Sequence, residues 1–294
     1  MNKKEFEFTG ERLTTGIYEY WSLEHLHRYA LAMTLVHGER VLDIASGEGY
    51  GTYLLSENAI SVIGVDISEA VISHASHKYQ SSNLSFKTGS ISNIPLDDNS
   101  VDVVVSFETI EHHDEHDKMM KEIKRVLKPE GKLVISSPDK KFYSDIPDYK
   151  NPYHVKELYS FEFEQLIEKY FANSVFLKQK TIFGSVISST INESAQMVEF
   201  SGDYSGIVNK PGLQDCPYIL CIATDNSLEN FSLNTSVFSN NDIFNLYSKL
   251  KDESLELEKR NKVLVRKLNN PAQFLKQIIK LPIKAVRRIM ISKL

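Results

Sequence analysis

Arg40-Val-Leu-Asp-Ile-Ala-Ser-Gly-Glu-Gly-Tyr-Gly51 reads as a short buried strand that ends on a carboxylate and breaks into a glycine-rich turn. Glycines at 47 and 49 let the backbone bend sharply and approach a ligand closely. Open α/β sheets bind ligands at the carboxyl ends of their strands, near the topological switch point. A dinucleotide loop would place a third glycine at position 52, where this chain has Thr52. Asp43 at the strand end would also repel a pyrophosphate. The turn therefore favours a ligand that lacks phosphates and carries positive charge, over the plainer reading of a tight turn. Ser61-Val-Ile-Gly-Val65 is the next strand and ends at Asp66, 23 residues after Asp43. An acid in that place accepts both hydroxyls of a ribose, although aspartate also caps helices. Together the two strand ends specify a nucleoside.

Outward from this centre, strands alternate with helices. A helix is expected over 22–36, another up to residue 57, a third over 68–78, a fourth over 114–127 and a fifth over 161–170. Leu23, Leu26, Ala30 and Met33 recur near helical spacing, and Pro129 with Gly131 stops the fourth helix. Further strands are expected at 84–87, 101–106, 132–137, 175–179 and 217–223. Strands that are apolar nearly throughout belong to a parallel sheet covered on both faces. The fold class is thus α/β, a doubly wound Rossmann-like sheet, with a C-terminal helical tail. We divide the chain into an N-terminal lid and helix (1–36), a main domain (37–225), a linker (226–241), and a charged helix with a basic amphipathic tail (242–294). Residues 188–214 read as a polar surface insertion, and 224–241, rich in Asn and Ser, as a linker.

Net charge is −5 over 294 residues. From Asn269 onward there are six basic residues and no acidic one, so the tail carries +6 and the remaining 268 residues −11. An acidic body argues against nucleic-acid binding, while the tail points to an anionic partner. The two cysteines, Cys216 and Cys221, form no CxxC pair. Their odd spacing near one strand points them to opposite faces, which fits a reducing compartment. The first residues lack the apolar core of a signal peptide, and no run reaches the length of a membrane span. We expect a cytoplasmic protein. Leu250, Leu257 and Leu264 repeat every seven residues, but Glu253, Arg260 and Lys267 take the intermediate positions. Apolar residues there would make a strong coiled coil. The pattern reads as a long charged helix, with a weak homo-oligomer seam over 242–268 as the sharper reading.

Several segments resemble class I S-adenosylmethionine-dependent methyltransferases of the methyltransferase type 11 group. They are Val41–Gly51, Val62–Ser68, Ser106–His112 and Arg125–Lys132. The resemblance extends over about residues 9–225. It implies S-adenosyl-L-methionine as cofactor. By that analogy Asp43, Ala45, Ser46, Gly47 and Gly49 hold the methionine part and Asp66 the ribose. Ile67, Ser90 and Ile91 flank the adenine, and Phe107 lines the floor near the sulfonium. The family's first loop glycine is Ala45 here, and its adenine-binding acid is Ser90, whose hydroxyl still accepts a hydrogen bond. Residues 9–12, 23–29 and 151–159 are similar to methyltransferases of bacterial surface-polysaccharide synthesis, which implies a lid and an acceptor wall. The plainer reading of Glu24 and Arg28, at i and i+4, is a surface helix pair.

Methyl transfer to a hydroxyl benefits from a general base, and histidine is the usual one. The candidates are His112, His113 and His154, with His112 and His154 preferred as catalytic residues. In Glu111-His-His-Asp-Glu-His-Asp117, His112 and His116 have helical metal-ligand spacing. That run begins an exposed helix whose first turn favours acids, so no metal is expected. The combined reading is O-methylation of a sugar or lipid-linked glycan acceptor in surface-polysaccharide synthesis. A small acceptor such as a quinone precursor is the alternative substrate, and a non-catalytic scaffold the alternative class. For the basic tail the two readings are an anionic membrane, placing the protein peripherally at its inner face, and a partner enzyme of glycan assembly.

Overall fold

The computed structural model of the protein describes residues 14–15, 20–182, 184–189, 198–203, 206–228, 235–238, 249–251 and 253–262. The expectations for residues 9–12 and for the basic tail lie outside the described residues. Among the described residues the helices with defined bounds are α1 (Tyr20–Met33), α2 (Tyr50–Ser56), α3 (Glu69–Lys78), α4 (His116–Val126) and α5 (Ser160–Tyr170). The strands are β1 (Arg40–Ile44), β2 (Ser61–Asp66), β3 (Leu84–Thr88), β4 (Val101–Ser106), β5 (Leu127–Pro138), β6 (Asn173–Ile182), β7 (Gly184–Ser189), β8 (Val198–Asp203), β9 (Gly206–Pro211), β10 (Tyr218–Thr224) and β11 (Ser236–Phe238). Nine of them form one sheet in the order β11-β7-β6-β10-β5-β4-β1-β2-β3, and β8 and β9 form a separate hairpin. β1 to β5 run parallel, while β10 runs antiparallel to both β5 and β6.

Side chains of successive strand residues point to opposite faces, and two cores result. Leu42, Ile44, Val104, Leu133 and Ile135 pack on one face with Met119, Met120 and Ile123 of α4 and Phe163 and Ile167 of α5. Val41, Val103, Val105 and Val134 pack on the other with Tyr29 and Ala32 of α1 and Leu55 of α2. Each fully buried Leu, Ile or Val contributes about 1.5–3 kcal/mol. Because both faces are covered, the central strands are apolar nearly throughout, the pattern legible in the sequence. The two cysteines are free and lie in different clusters, Cys221 in the first core and Cys216 with Val186 and Leu213.

Three segments differ from the sequence reading. β5 starts at Leu127 rather than Lys132, because Leu127 already pairs with Val101 and a register shift absorbs the Pro129–Gly131 turn. The segment 188–214, expected as a polar insertion, begins in the last residues of β7, which pairs with β6, and contains the β8–β9 hairpin. Within the expected linker, Ser236–Phe238 pairs with β7 and completes the sheet edge. The Ser, Gly and charged residues of these strands hid the pattern in the sequence, although Val186 and Ile187 of β7 are buried. The chain divides into two compact units, Met1–Asn240 and Asn241–Leu294. The described residues of the second unit are helical, and Leu250 and Leu257 are exposed there.

Candidate active site

A cavity of 440 Å³ opens at the carboxyl ends of β1, β2 and β4. The parallel strands all point their carboxyl ends this way, so the three following loops converge. The first loop turns through three left-handed residues, Ala45 at φ 61°, Gly47 at 55° and Gly49 at 94°. The turn is closed by Ser46 N donating to Val65 O at 3.0 Å and Gly49 N to Ser46 O at 3.1 Å. A Cβ at Gly49 would sit 2.9 Å from the Ala75 Cβ, and one at Gly51 would sit 1.9 Å from the Tyr29 ring. Both glycines therefore serve close packing of α2 against its neighbours. Alanine at 45 is strained by roughly 1–2 kcal/mol.

Of the residues predicted for cofactor binding, Ala45, Ser46, Gly47, Asp66, Ile67, Ser90, Ile91 and Phe107 all line this cavity. Asp66 is buried and accepts from Gly47 N at 3.1 Å and Ser68 N at 2.9 Å. Those two bonds hold the carboxylate at the cavity wall. Ile67 is 71% exposed, an open apolar surface for a flat ring, and Ile91 stands on the same wall. The Ser90 hydroxyl accepts from Ser92 N at 3.2 Å. Phe107 meets the Tyr29 ring edge-on, with centroids 5.1 Å apart.

Asp43 and Gly49 are not brought to the wall. Asp43 is buried behind the loop, accepting from Thr52 Oγ1 at 2.7 Å and from the Tyr29 hydroxyl at 3.3 Å. Burial raises its carboxyl to about 7, against the opposing effect of those two bonds. Its role is to tie α1 and α2 beneath the loop. Glu48 is a second anchor: it is buried and accepts from Lys78, from Tyr79 Oη at 2.6 Å and from Thr15 Oγ1 at 3.2 Å.

The other end of the cavity is lined by His25, Glu108, Thr109, His112 and His113. His112 lies in the short turn after β4. Its Nδ1 is 3.1 Å from the Tyr153 carbonyl oxygen. A carbonyl only accepts, so Nδ1 carries the proton and Nε2 the lone pair. His113 is pushed down to about 4 by burial, helped by nearby His116, and stays neutral at neutral pH. His154 does not line the cavity. It stands behind His112, ring edge to ring face at 5.1 Å, with Nδ1 against Glu157 and Nε2 accepting from Asn151 at 3.0 Å. The prediction of His154 as a base is corrected accordingly, because both ring nitrogens are engaged. His116 turns its Nε2 to the His113 carbonyl at 2.8 Å, and it does not meet His112 as the i, i+4 spacing suggested.

Beneath this end lies a charged cluster that sequence reasoning missed. Glu24 and Arg28 are both buried, which overturns the surface helix pair. Arg28 Nε donates to Gln179 at 2.7 Å, Nη1 lies 3.5 Å from Glu108, and the guanidinium sits 4.4 Å over the Tyr218 ring. Burial raises the carboxyl of Glu24 and, more strongly, that of Glu111. No local sequence signal distinguishes this arrangement, since Gln179 and Tyr218 come from strands 150 or more residues away.

S-adenosylmethionine fits these residues. Asp66 faces a ribose diol, Ile67 and Ile91 a flat base, and the buried Ser46 hydroxyl, which has no hydrogen-bond partner among the described residues, faces a polar group. Residues 42–135 match the family model described as a methyltransferase domain. A probable S-adenosylmethionine-dependent methyltransferase from Mycolicibacterium smegmatis is 37% identical over 163 residues, 54% of this chain and 63% of that protein. One from Mycobacterium tuberculosis is 34% identical over 54% of this chain and 58% of its own length. The chain thus spans about three-fifths of the curated relatives it matches. A solved structure described as an S-adenosylmethionine-dependent methyltransferase, possible histamine N-methyltransferase, from Thermotoga maritima superposes with a TM-score of 0.50 at 19% identity, covering 70% of this chain and 91% of that one. Over residues 42–135 the chain is thus similar in sequence to a methyltransferase domain, and its surrounding fold is Rossmann-like.

Proposed function

We propose that the protein is an S-adenosylmethionine-dependent methyltransferase acting on an oxygen acceptor. One observation carries the reading: one cavity is lined both by the nucleoside-binding candidates Asp66, Ile67 and Ile91 and by Phe107 and His112. S-adenosylmethionine, when bound, supplies a methyl group on a cationic sulfur whose departure as a thioether needs no acid. The chain's residues then have two tasks. The first loop and Asp66 hold the nucleoside end in line with the acceptor, and alignment accounts for much of the acceleration. His112 takes the acceptor's proton at Nε2, and the Tyr153 carbonyl fixes the tautomer that makes this possible. Isothermal titration of the purified protein with S-adenosylmethionine and its demethylated product tests the cofactor. Micromolar binding is expected, weakened at least tenfold in Asp66→Ala and less in Asp66→Asn. An absence of binding in the intact protein would move the weight to the scaffold reading.

For the acceptor, the proposal is a hydroxyl of a sugar or glycan-linked molecule. The loop that carries the Tyr153 carbonyl also exposes Tyr149 and Tyr153, and aromatic faces suit the apolar faces of sugar rings. His112→Ala is expected to lower kcat by about 10²–10⁴ while leaving S-adenosylmethionine affinity within twofold. Among the described residues no helix is long and apolar enough to cross a membrane. Peripheral association through the basic tail belongs to the same proposal: deleting residues 269–294 should release the protein from anionic vesicles and leave turnover of a soluble acceptor intact.

A further inference from the structure

We propose that Glu111, His112 and His154 bind one divalent cation of the zinc class beside the acceptor end of the cavity. One ligand atom from each, a carboxylate oxygen and two ring nitrogens, lies within 4.8 Å of the others. Two imidazoles and one carboxylate suit a borderline first-row cation and leave a coordination position open. Ligand atoms of a tetrahedral zinc stand roughly 3.3 Å apart, so closure asks for side-chain shifts of at most roughly 1.5 Å.

The surroundings of the three residues favour ligation. Metal-bound histidines donate their second nitrogen to a carboxylate or a carbonyl, which fixes the tautomer and aims the lone pair. Here the Tyr153 carbonyl takes the Nδ1 proton of His112 and Glu157 takes that of His154. Both lone pairs are thereby placed on Nε2. The His112 Nε2 is 3.8 Å from Glu111 Oε1. Glu111 is 1% exposed, and its Oε2 has no hydrogen-bond partner among the described residues. A buried carboxylate oxygen without a partner is costly, and a cation would satisfy it. Binding displaces one bond, from Asn151 Nδ2 to His154 Nε2, while Asn151 keeps the Tyr143 hydroxyl at 3.3 Å. This arrangement was not expected from the sequence, where His154 lies 42 residues from His112. Cation binding occupies His112 Nε2 and so withdraws it as the base of the methyl transfer proposed above. That consequence rests on the methyl-transfer reading; cation binding itself does not.

Titration of the untagged, metal-stripped full chain with Co²⁺, followed by visible absorption, tests the site. The expected result is one saturable equivalent with the d–d bands of a four- or five-coordinate ion, displaced by Zn²⁺. His154→Ala and Glu111→Gln should each weaken binding at least 100-fold. Glu157→Gln, which leaves all three ligands present, should weaken it 10–100-fold. His116→Ala should leave it unchanged. Circular dichroism of each variant separates loss of a ligand from loss of the fold. No d–d bands in the intact chain, or bands that persist unaltered in folded Glu157→Gln and His154→Ala, would overturn the proposal. Failure of the methyltransferase reading shows instead in the S-adenosylmethionine titration, which the cobalt spectrum does not involve.

Discussion

Asp43 shows how a single residue can be read correctly for its place and wrongly for its task. The acid ends β1, as the sequence indicates, yet its carboxyl lies under the loop between Thr52 and Tyr29. Burial raises its carboxyl from 3.8 to about 7. A carboxyl with a raised folded value contributes stability that is complete below its unfolded value and is lost as pH rises through the folded one. Between pH 4 and 7 this group therefore lowers stability with rising pH. Asp43→Asn keeps the shape and removes the titration. Differential scanning calorimetry should show the variant's Tm rising relative to the parent across that interval, with the gap constant above pH 8. A gap that does not change with pH would mean that Asp43 is ionised throughout. Ser46, Gly47 and Asp66 were legible for a different reason: their chemistry is expressed within a few residues of a strand end, where sequence position decides spatial position.

At the scale of elements, the parallel half of the sheet follows from apolar runs. The far edge depends on partners. β7 and β11 become strands because α1 lies against them: His27 reaches Ser185 of β7 and Ser236 of β11, each at 3.0 Å. The Gln179 amide adds bonds to Ser185 at 2.9 Å and to the Glu24 carbonyl at 3.0 Å. The three strand residues are buried or half-buried polar groups whose satisfaction stabilises the edge. His27→Ala removes both serine contacts at once. Hydrogen exchange of the β11 amides should then accelerate at least tenfold, while that of β1 and β4 amides stays as in the parent. Equal protection of β11 in both proteins would show that backbone pairing with β7 suffices alone.

At the scale of the whole molecule, Met1–Asn240 holds the complete sheet and the cavity, and Asn241–Leu294 is a separate unit. A protein ending at Asn240 should therefore keep its Tm within about 2 °C, a change of less than ~1 kcal/mol at this size, and keep its affinity for S-adenosylmethionine. The exposed Leu250 and Leu257 carry the proposal of a weak oligomer seam. Sedimentation velocity should show concentration-dependent self-association in the full chain, abolished by Leu250→Glu with Leu257→Glu. A monomer at all concentrations would leave the second unit as a solvated helix.

The sequence by itself determined the alternation of strands and helices, the glycine turn after β1, the acid after β2 and the apolar flanks of the cavity. Each of these depends on local periodicity or on residues close together in the chain. Tertiary structure decided what those patterns could not express. It buried Arg28 among Glu24, Glu108 and Tyr218, turned His154 behind His112, and brought Ser236–Phe238 to β7 at the sheet edge. In each case a polar group far along the chain supplies the partner. A buried charge or an added strand is stable only with that partner in place, and only folding brings the two together.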